Sequence, residues 1–546
     1  MKKKKVSVPV AQDAPEKKAI TADDVGIEVR FVGGIALAKA MTEAMGIQRT
    51  VDLHCPPDGR NNISHGQAIE MLVVNVLTNP EALYHVEDWA KKSGIREAYG
   101  IEPEYLNDDR LASALDAIHP YLQMIKSEIA LSVCKRFAIP LKFLHWDLTH
   151  ITFTGEYENQ SPEFVNIVYS RKNNQSPVMK CVKVGMNVEV SNGCGVPVWY
   201  DLLDGKEGEC KATIRNMENL KKHMKPDTLV RISDKGCFSA EVLSLTREEG
   251  FHIIAPETFT THYRELYRTA LEKGASWSAL SYLSQREQKK KNDGESYDGY
   301  QGFETASKIR FKDKCYPVRV VFVHSDGKDK REKKSREKHR GKIEGTLEKC
   351  RGYLGSVHYR NAVEATESIR KKLKGIPEAK YLSFSVTGEK REMTLEYQWD
   401  NQALKDAEIF DVVYPLIVTL PEKKNSMDSV FTHYKEQHFI EQCNKYMKRP
   451  LRVRPIYVHK QERVESLVFV FFMAVMAYCL MMRNLKKLSK TDPTLKHLTP
   501  RRLFFIFANI AFVRLIIAGQ LIVKLTPLDF QQKSILEALG VRIHFY

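Results

Sequence analysis

The chain has 546 residues, too many for a single hydrophobic core, so about two to four domains are expected. Hydrophobic residues make up 43%, which excludes a disordered polymer, and a charge of +16 with a pI near 9.1 suits a polyanionic partner, nucleic acid foremost. A basic protein kept in solution by self-repulsion would show the same excess. The ten cysteines are scattered, with no C-x2-C pair and no cysteine–histidine cluster, which argues against structural zinc and for reduced thiols in a cytoplasmic protein. Lys2 to Lys5 lead into a polar stretch without a secretory core, and residues 1–23 read as a basic disordered tail. Residues 24–138 read as a helical N-terminal domain. Ser64 with Gln67 gives a capping box, Asn107 or Asp108 can cap a further helix, and Leu111 and Leu115 share a face of it. Two readings stay open for this domain, a helix-turn-helix type DNA reader and a plain helical bundle.

The pattern changes at about Leu141. Phe143 to Phe153 alternates as a strand does, and Val182 to Val190 and Val196 to Leu203 follow, with Asn192-Gly193 as the turn between them. A helix over Cys210 to Met224 precedes a strand over Thr228 to Ser233, which ends at Asp234. A helix over Ser239 to Glu249 leads to a strand over Phe251 to Ala255. Strand, strand, strand, helix, strand, helix, strand is the element order of a ribonuclease-H-like fold, so residues 139–255 are expected to be the first part of an α/β catalytic core on a mixed sheet. Residues 256–405 read as an inserted domain, mainly β and rich in basic residues. It has strand candidates at Val318 to His324, Tyr381 to Val386 and Glu392 to Trp399, and a run from Asp326 to Lys342 with nine basic and four acidic residues. A strand over Val412 to Leu420 and one helix over Met427 to Lys448 return the chain to the core, whose second part is placed at 406–490. Residues 491–546 read as a helical C-terminal region. Leu467 to Met482 is an apolar run of 16 residues, short of the ~20 a spanning helix needs, and Leu503 to Leu525 is broken by Asn509, Arg514, Gln520 and Lys524. Both are expected to be buried helices, with no membrane contact.

Three carboxylates sit where this element order would gather them: Asp147 within the first strand, Asp234 at the end of the fourth, and Glu441 on the helix after the insertion. Carboxylates and water are the ligands magnesium prefers, and two such ions ~3.5–4 Å apart suit in-line phosphoryl displacement. Taken singly, each acid also reads as a solvated surface group. Asp147 is the exception, since a carboxylate within an apolar aromatic strand is costly unless paired or metal-bound. Tyr434, Glu441 and Lys448 are seven residues apart, close to two helical turns, and so would share a face; a plain surface stripe has the same spacing.

These residues resemble a known family. Tyr434, Gln437, Glu441 and Lys448 occupy the places of the tyrosine–arginine–glutamate–lysine signature of DDE transposases of bacterial insertion sequences, specifically the insertion-sequence-four group. Asp147 in Trp146 to Thr149 and Asp234 in Ile232 to Gly236 look like that family's two aspartates, and Pro450 to Val458 with Glu462 to Leu467 look like the segment after its glutamate helix. The intervals of 87 and 207 residues agree with the class, whose members carry a mainly β insertion in the second interval. Gln437 departs from the signature arginine, and Ser233 and Lys235 depart from the usual context of the second aspartate. The resemblance implies that Asp147, Asp234 and Glu441 are catalytic and hold two magnesium ions, with manganese able to substitute. It implies cleavage at the terminal inverted repeats of a mobile element and joining of the 3′ ends to target DNA, by a homodimer in the bacterial, nucleoid-associated cytoplasm. Tyr434, Gln437 and Lys448 would touch DNA, with Trp399 or Trp277 stacking on a displaced base, although either one alone reads first as a core tryptophan. Lys333, Lys334 and Arg336 in the basic run can grip phosphates, and a solvated charged helix or loop explains that run as well. The competing expectations are a ribonuclease-H-like nuclease without strand transfer and a catalytically inactive DNA-binding descendant.

Overall fold

The computed structural model describes residues 25–541 apart from 58, 154–156, 158–159, 171–177, 390–391, 449–457, 459, 490–494, 496–497 and 518–519. The tail at 1–23 and nearly all of the Pro450 to Val458 segment lie outside the described residues. The molecule is mixed α/β, with three sheets and many helices.

Strand β1 (Val25–Phe31) opens the described chain. The helices Ile35–Met45, Ile47–His54, His65–Thr78, Asp108–Ile118 and Leu122–Arg136 follow. Ser64 and Gln67 close the expected capping box, and Asn107 rather than Asp108 caps the Asp108–Ile118 helix.

The central sheet starts with β2 (Phe143–Thr152), then β3 (Val168–Ser170), β4 (Met179–Ser191) and β5 (Cys194–Asp204). β2 and β5 are both antiparallel to β4, and Asn192 and Gly193 take positive φ in the β4–β5 turn. The helix Glu209–Asn219 leads to β6 (Val230–Ser233), and the helix Ala240–Glu248 to β7 (His252–Pro256). β6 runs parallel to β2, and β7 parallel to β6. The strand order is therefore β5, β4, β2, β6, β7 across this half.

The stretch 256–405 differs from the expected mainly β insertion. It supplies β8 (Ser278–Leu280), β9 (Tyr300–Phe311) and β10 (Lys314–Ser325), and these extend the central sheet beyond β13 (Val413–Val418), which itself pairs with β7. The basic run folds as the 27-residue helix Asp326–Gly352. With the helix Ala362–Leu373 and the hairpin of β11 (Leu382–Thr387) and β12 (Thr394–Trp399), it closes a separate small core around Ile343, Leu347, Ile369 and Leu395. Helix outweighs strand in the basic run because lysine, arginine and glutamate are good helix formers and pair at i,i+4, as Lys333 does with Asp329.

The apolar run becomes the helix Gln461–Leu488. Its length and composition would let it cross a membrane, yet 94% of its apolar window is buried inside the fold, where it packs on β5 and the N-terminal helices. The second apolar stretch is a correction. After the helix Pro500–Phe507 it forms β14 (Ala511–Ile517) and β15 (Gln520–Leu525), and β14 pairs with β1 at the other end of the chain. β-branched residues and a partner nearly 500 residues away, beyond the reach of local periodicity, favour strands here.

A tight contact sets the spacing of β2 and β4. The indole of Trp146 lies across Gly185, where a Cβ would meet its ring at 2.1 Å. Gly185→Ala is expected to lower stability by about 1–3 kcal/mol. Urea unfolding of the full chain checks this, and an unchanged midpoint would refute the contact.

Candidate active site

Strand alternation divides β2 between two faces. Trp146 points into a buried polar layer, where its indole N–H donates to Thr213 Oγ1 at 3.1 Å and Arg231 lies 5.3 Å from its ring. Asp147 points to the opposite face. β6 ends at Ser233, and Asp234 follows in extended backbone. In the parallel register Trp146 pairs with Ser233, so the next residue on each strand, Asp147 and Asp234, stands beside the other.

The third acid lies on a broken helix, not on the single helix expected over Met427 to Lys448. The chain forms Met427–Lys435 and His438–Lys448, with Glu436 and Gln437 in the turn between. The first helix closes when the Glu436 N–H bonds the Thr432 and His433 carbonyls at 3.1 and 3.3 Å. Tyr434 and Glu441 thus belong to different helices. The break turns Gln437 inward, and its amide Nε2 donates to Asp234 Oδ1 at 2.5 Å. Gln437, expected as a DNA contact, is buried on an aspartate.

Gln437, Glu441, Asn444 and Lys448 follow at helical spacing and form one stripe. Asn444 Nδ2 donates to Asp147 Oδ2 at 2.8 Å, and the Leu148 N–H donates to Asp147 Oδ1 at 2.8 Å. Glu441, one turn from each amide, is exposed. Asn444 was not singled out in the sequence; its distance from Glu441 on the same stripe is the signal that could have found it.

The electrostatics tie the three acids together. Burial first, then the Asp234 charge and more weakly Glu441, push the Asp147 carboxyl up to about 6, while the Leu148 N–H and Lys448 oppose them. Burial also raises Asp234, helped by Glu441 and Glu209, while the Gln437 amide pulls it down. Burial and the Asp234 charge push the Tyr434 phenol up to about 12. His145, buried behind the site, is driven down to about 3 by burial and by His433 and His438, and stays neutral. Among the described residues no three His, Cys, Asp or Glu side chains converge into a ready cation cage.

The other expected contacts lie elsewhere. Lys333 pairs with Asp329 at 2.9 Å and Lys334 is exposed. Arg336 is buried and held by Asp411 and by Glu408 at 3.7 Å. Trp399 donates to Glu344 at 3.2 Å with Arg340 over its ring at 5.0 Å. Trp277 packs edge-on against Phe303, 4.8 Å between centroids, in an apolar cluster.

Comparison with known families matches residues 27–130 to a domain of unknown function (DUF4277), one often found in transposase-like proteins. No curated protein matches the chain. The matched residues hold nine Lys and Arg against fifteen Asp and Glu, a net charge of −6, so the basic excess lies wholly outside this domain. The domain is also welded to the core. Arg463 grips Asp116 at 2.7 and 2.6 Å, Ser466 Oγ donates to the Leu115 carbonyl, and Lys126 Nζ donates to the Tyr200 carbonyl.

The raised Asp147 carboxyl makes a signed prediction. Its contribution to stability is fully present below the ordinary aspartate range near 4 and is lost as pH rises through about 6. Asp147→Asn removes the buried charge, so without metal it should be more stable than the native chain at pH 8, by about 2–3 kcal/mol at most, and no more stable at pH 4. Thermal unfolding at the two pH values decides it, and an equal effect at both would contradict the assignment.

Proposed function

We propose that the chain is a DDE transposase. In this reading it cuts DNA at the ends of an insertion sequence and joins the 3′ ends to target DNA. The observation that carries the proposal is the pairing of Asp147 and Asp234 at adjacent parallel strand positions, with Glu441 on the helix whose Asn444, and whose leading turn residue Gln437, hold the two aspartates. The strand order β5, β4, β2, β6, β7, with β2, β6 and β7 parallel, supports a ribonuclease-H-like core. The matched N-terminal domain supports the same class.

The donor set fits divalent cations in kind, because Asp147, Asp234 and Glu441 offer carboxylate oxygens whose charges bear on one another. Asp147, Asp234 and Glu441 would hold two magnesium or manganese ions, which when bound activate the attacking oxygen and stabilise the leaving one. Gln437 and Asn444 orient the aspartates by hydrogen bonds to one oxygen of each. Lys448, whose charge acts on Asp147, would meet a phosphate held at the same spot.

The test uses purified full-length chain, DNA carrying the element ends, and magnesium. Asp147→Asn, Asp234→Asn and Glu441→Gln should each reduce cleavage to background, and magnesium or manganese should raise the unfolding temperature of the native chain but not of these variants. Unchanged cleavage in all three would sink the proposal. Cleavage without joining to a second duplex would instead favour a nuclease without strand transfer.

A further inference from the structure

The face of the His438–Lys448 helix that carries Gln442 and Lys445 opens onto a cavity of about 1030 Å³. Of the three carboxylates, only Glu441 lines it. Its walls come from distant parts of the chain: the segment before the helix Gln285–Asn292, both helices around the break at Gln437, the Gln461–Leu488 helix, and the start of Pro500–Phe507.

The lining is cationic and aromatic. Arg286, Lys435, Lys445 and Lys486 face two carboxylates, Glu436 and Glu441. Lys445 has no ion-pair partner among the described residues. Among the described residues Arg286 pairs with its neighbour Glu287, at 4.0 Å, and its side chain is 84% exposed. Lys435 lies 5.8 Å from the Tyr282 ring, and Lys486 lies 5.7 Å from that of Phe439. Two helices begin at the wall, with Ser284 and Thr499 as their caps, and their N-terminal dipoles add to the attraction for anions. The volume is at the upper end of the ~300–1,000 Å³ that suits a single small ligand, so it has room for linked units.

We propose that this cavity is a subsite for an unpaired nucleic-acid strand. Arg286 and Lys445 take its phosphates, Tyr282 and Tyr446 take its bases by stacking, and the strand leads past Glu441. Bases held in a duplex present no free faces to such walls, whereas an unpaired strand satisfies both the cations and the rings. The inference deepens the transposase reading, on which it rests for the reason a strand comes to Glu441.

The experiment measures binding of a fluorescein-labelled hexathymidylate to the full chain without divalent metal, in low and moderate salt. A blunt duplex and pyrophosphate serve as competitors. Arg286→Glu and Lys445→Glu alter exposed side chains, and thermal unfolding verifies that each variant stays folded. Lys334→Glu, on the remote basic helix, is the control. The expected result is binding weakened about tenfold or more by each of the first two substitutions and little changed by the control. Tyr446→Ala should weaken the oligonucleotide but not pyrophosphate. Native-like binding by Arg286→Glu and Lys445→Glu, or no binding to the native chain, would overturn the subsite. Pyrophosphate competing as well as the oligonucleotide would overturn the strand and leave a small-anion pocket. Failure of the carboxylate reading shows separately, as native cleavage by the aspartate variants while these binding differences persist.

Discussion

The short parallel pairing of β2 with β6 is the constraint on which the candidate site depends. Four residue pairs, ending at Trp146 and Ser233, bring two aspartates from positions 147 and 234 side by side. A one-residue slip would send Asp147 or Asp234 away from its neighbour, because successive side chains alternate faces. The register is guarded from the opposite face. Arg231, fully buried on β6, donates to the Thr213 carbonyl at 3.0 Å and to Asn216 Oδ1 at 2.5 Å, and Asn216 in turn donates to Asn187 on β4 and Asp201 on β5. One buried network thus ties β4, β5, β6 and the Glu209–Asn219 helix together. Burial pushes Arg231 down to about 10, so it remains charged at neutral pH and the network keeps its directionality.

The distribution of charge separates two jobs that composition alone merges. The N-terminal matched domain is acidic and shares its core with the Gln461–Leu488 helix, while the rest of the chain carries the basic excess. That domain packs on the core through the Gln461–Leu488 helix, and its net charge is negative. The most basic run is partly spent within its own unit, on Asp329, Glu378, Glu408 and Asp411. Other cations, Arg286, Lys435, Lys445 and Lys486, line the cavity beside Glu441.

Much of the core was legible from the sequence because its signals are local. The alternation of Phe143 to Thr152, the Asn192-Gly193 turn and the Ser64 capping box each arise within a few residues, and each forms. The proximity of Asp147 and Asp234 followed from element order. Features decided by remote partners were not legible. The β14–β15 hairpin needs β1, and β9 and β10 need β13 before they can be seen as part of the central sheet rather than of an inserted domain. The break at Gln437 was hidden because the flanking residues all favour helix, whereas the deciding bond is to Asp234, 203 residues away. Arg336 shows the same limit from the other side: its charge is visible in the sequence, but its burial on Asp411 is not.

The substitution of glutamine for the resembling family's arginine gains meaning from that break. At position 437 the side chain abuts Asp234, so a guanidinium there would neutralise the aspartate directly, whereas the amide only orients it. Asn444 does the same at Asp147. With neutral donors on both aspartates, the protein leaves most of their charge uncompensated, and Lys448 is the one cation acting on Asp147 among its main influences. Burial is the first cause that raises both carboxyls, and the neighbouring acids add to it. On the proposed reading, the missing counter-charge is the work of the divalent cations.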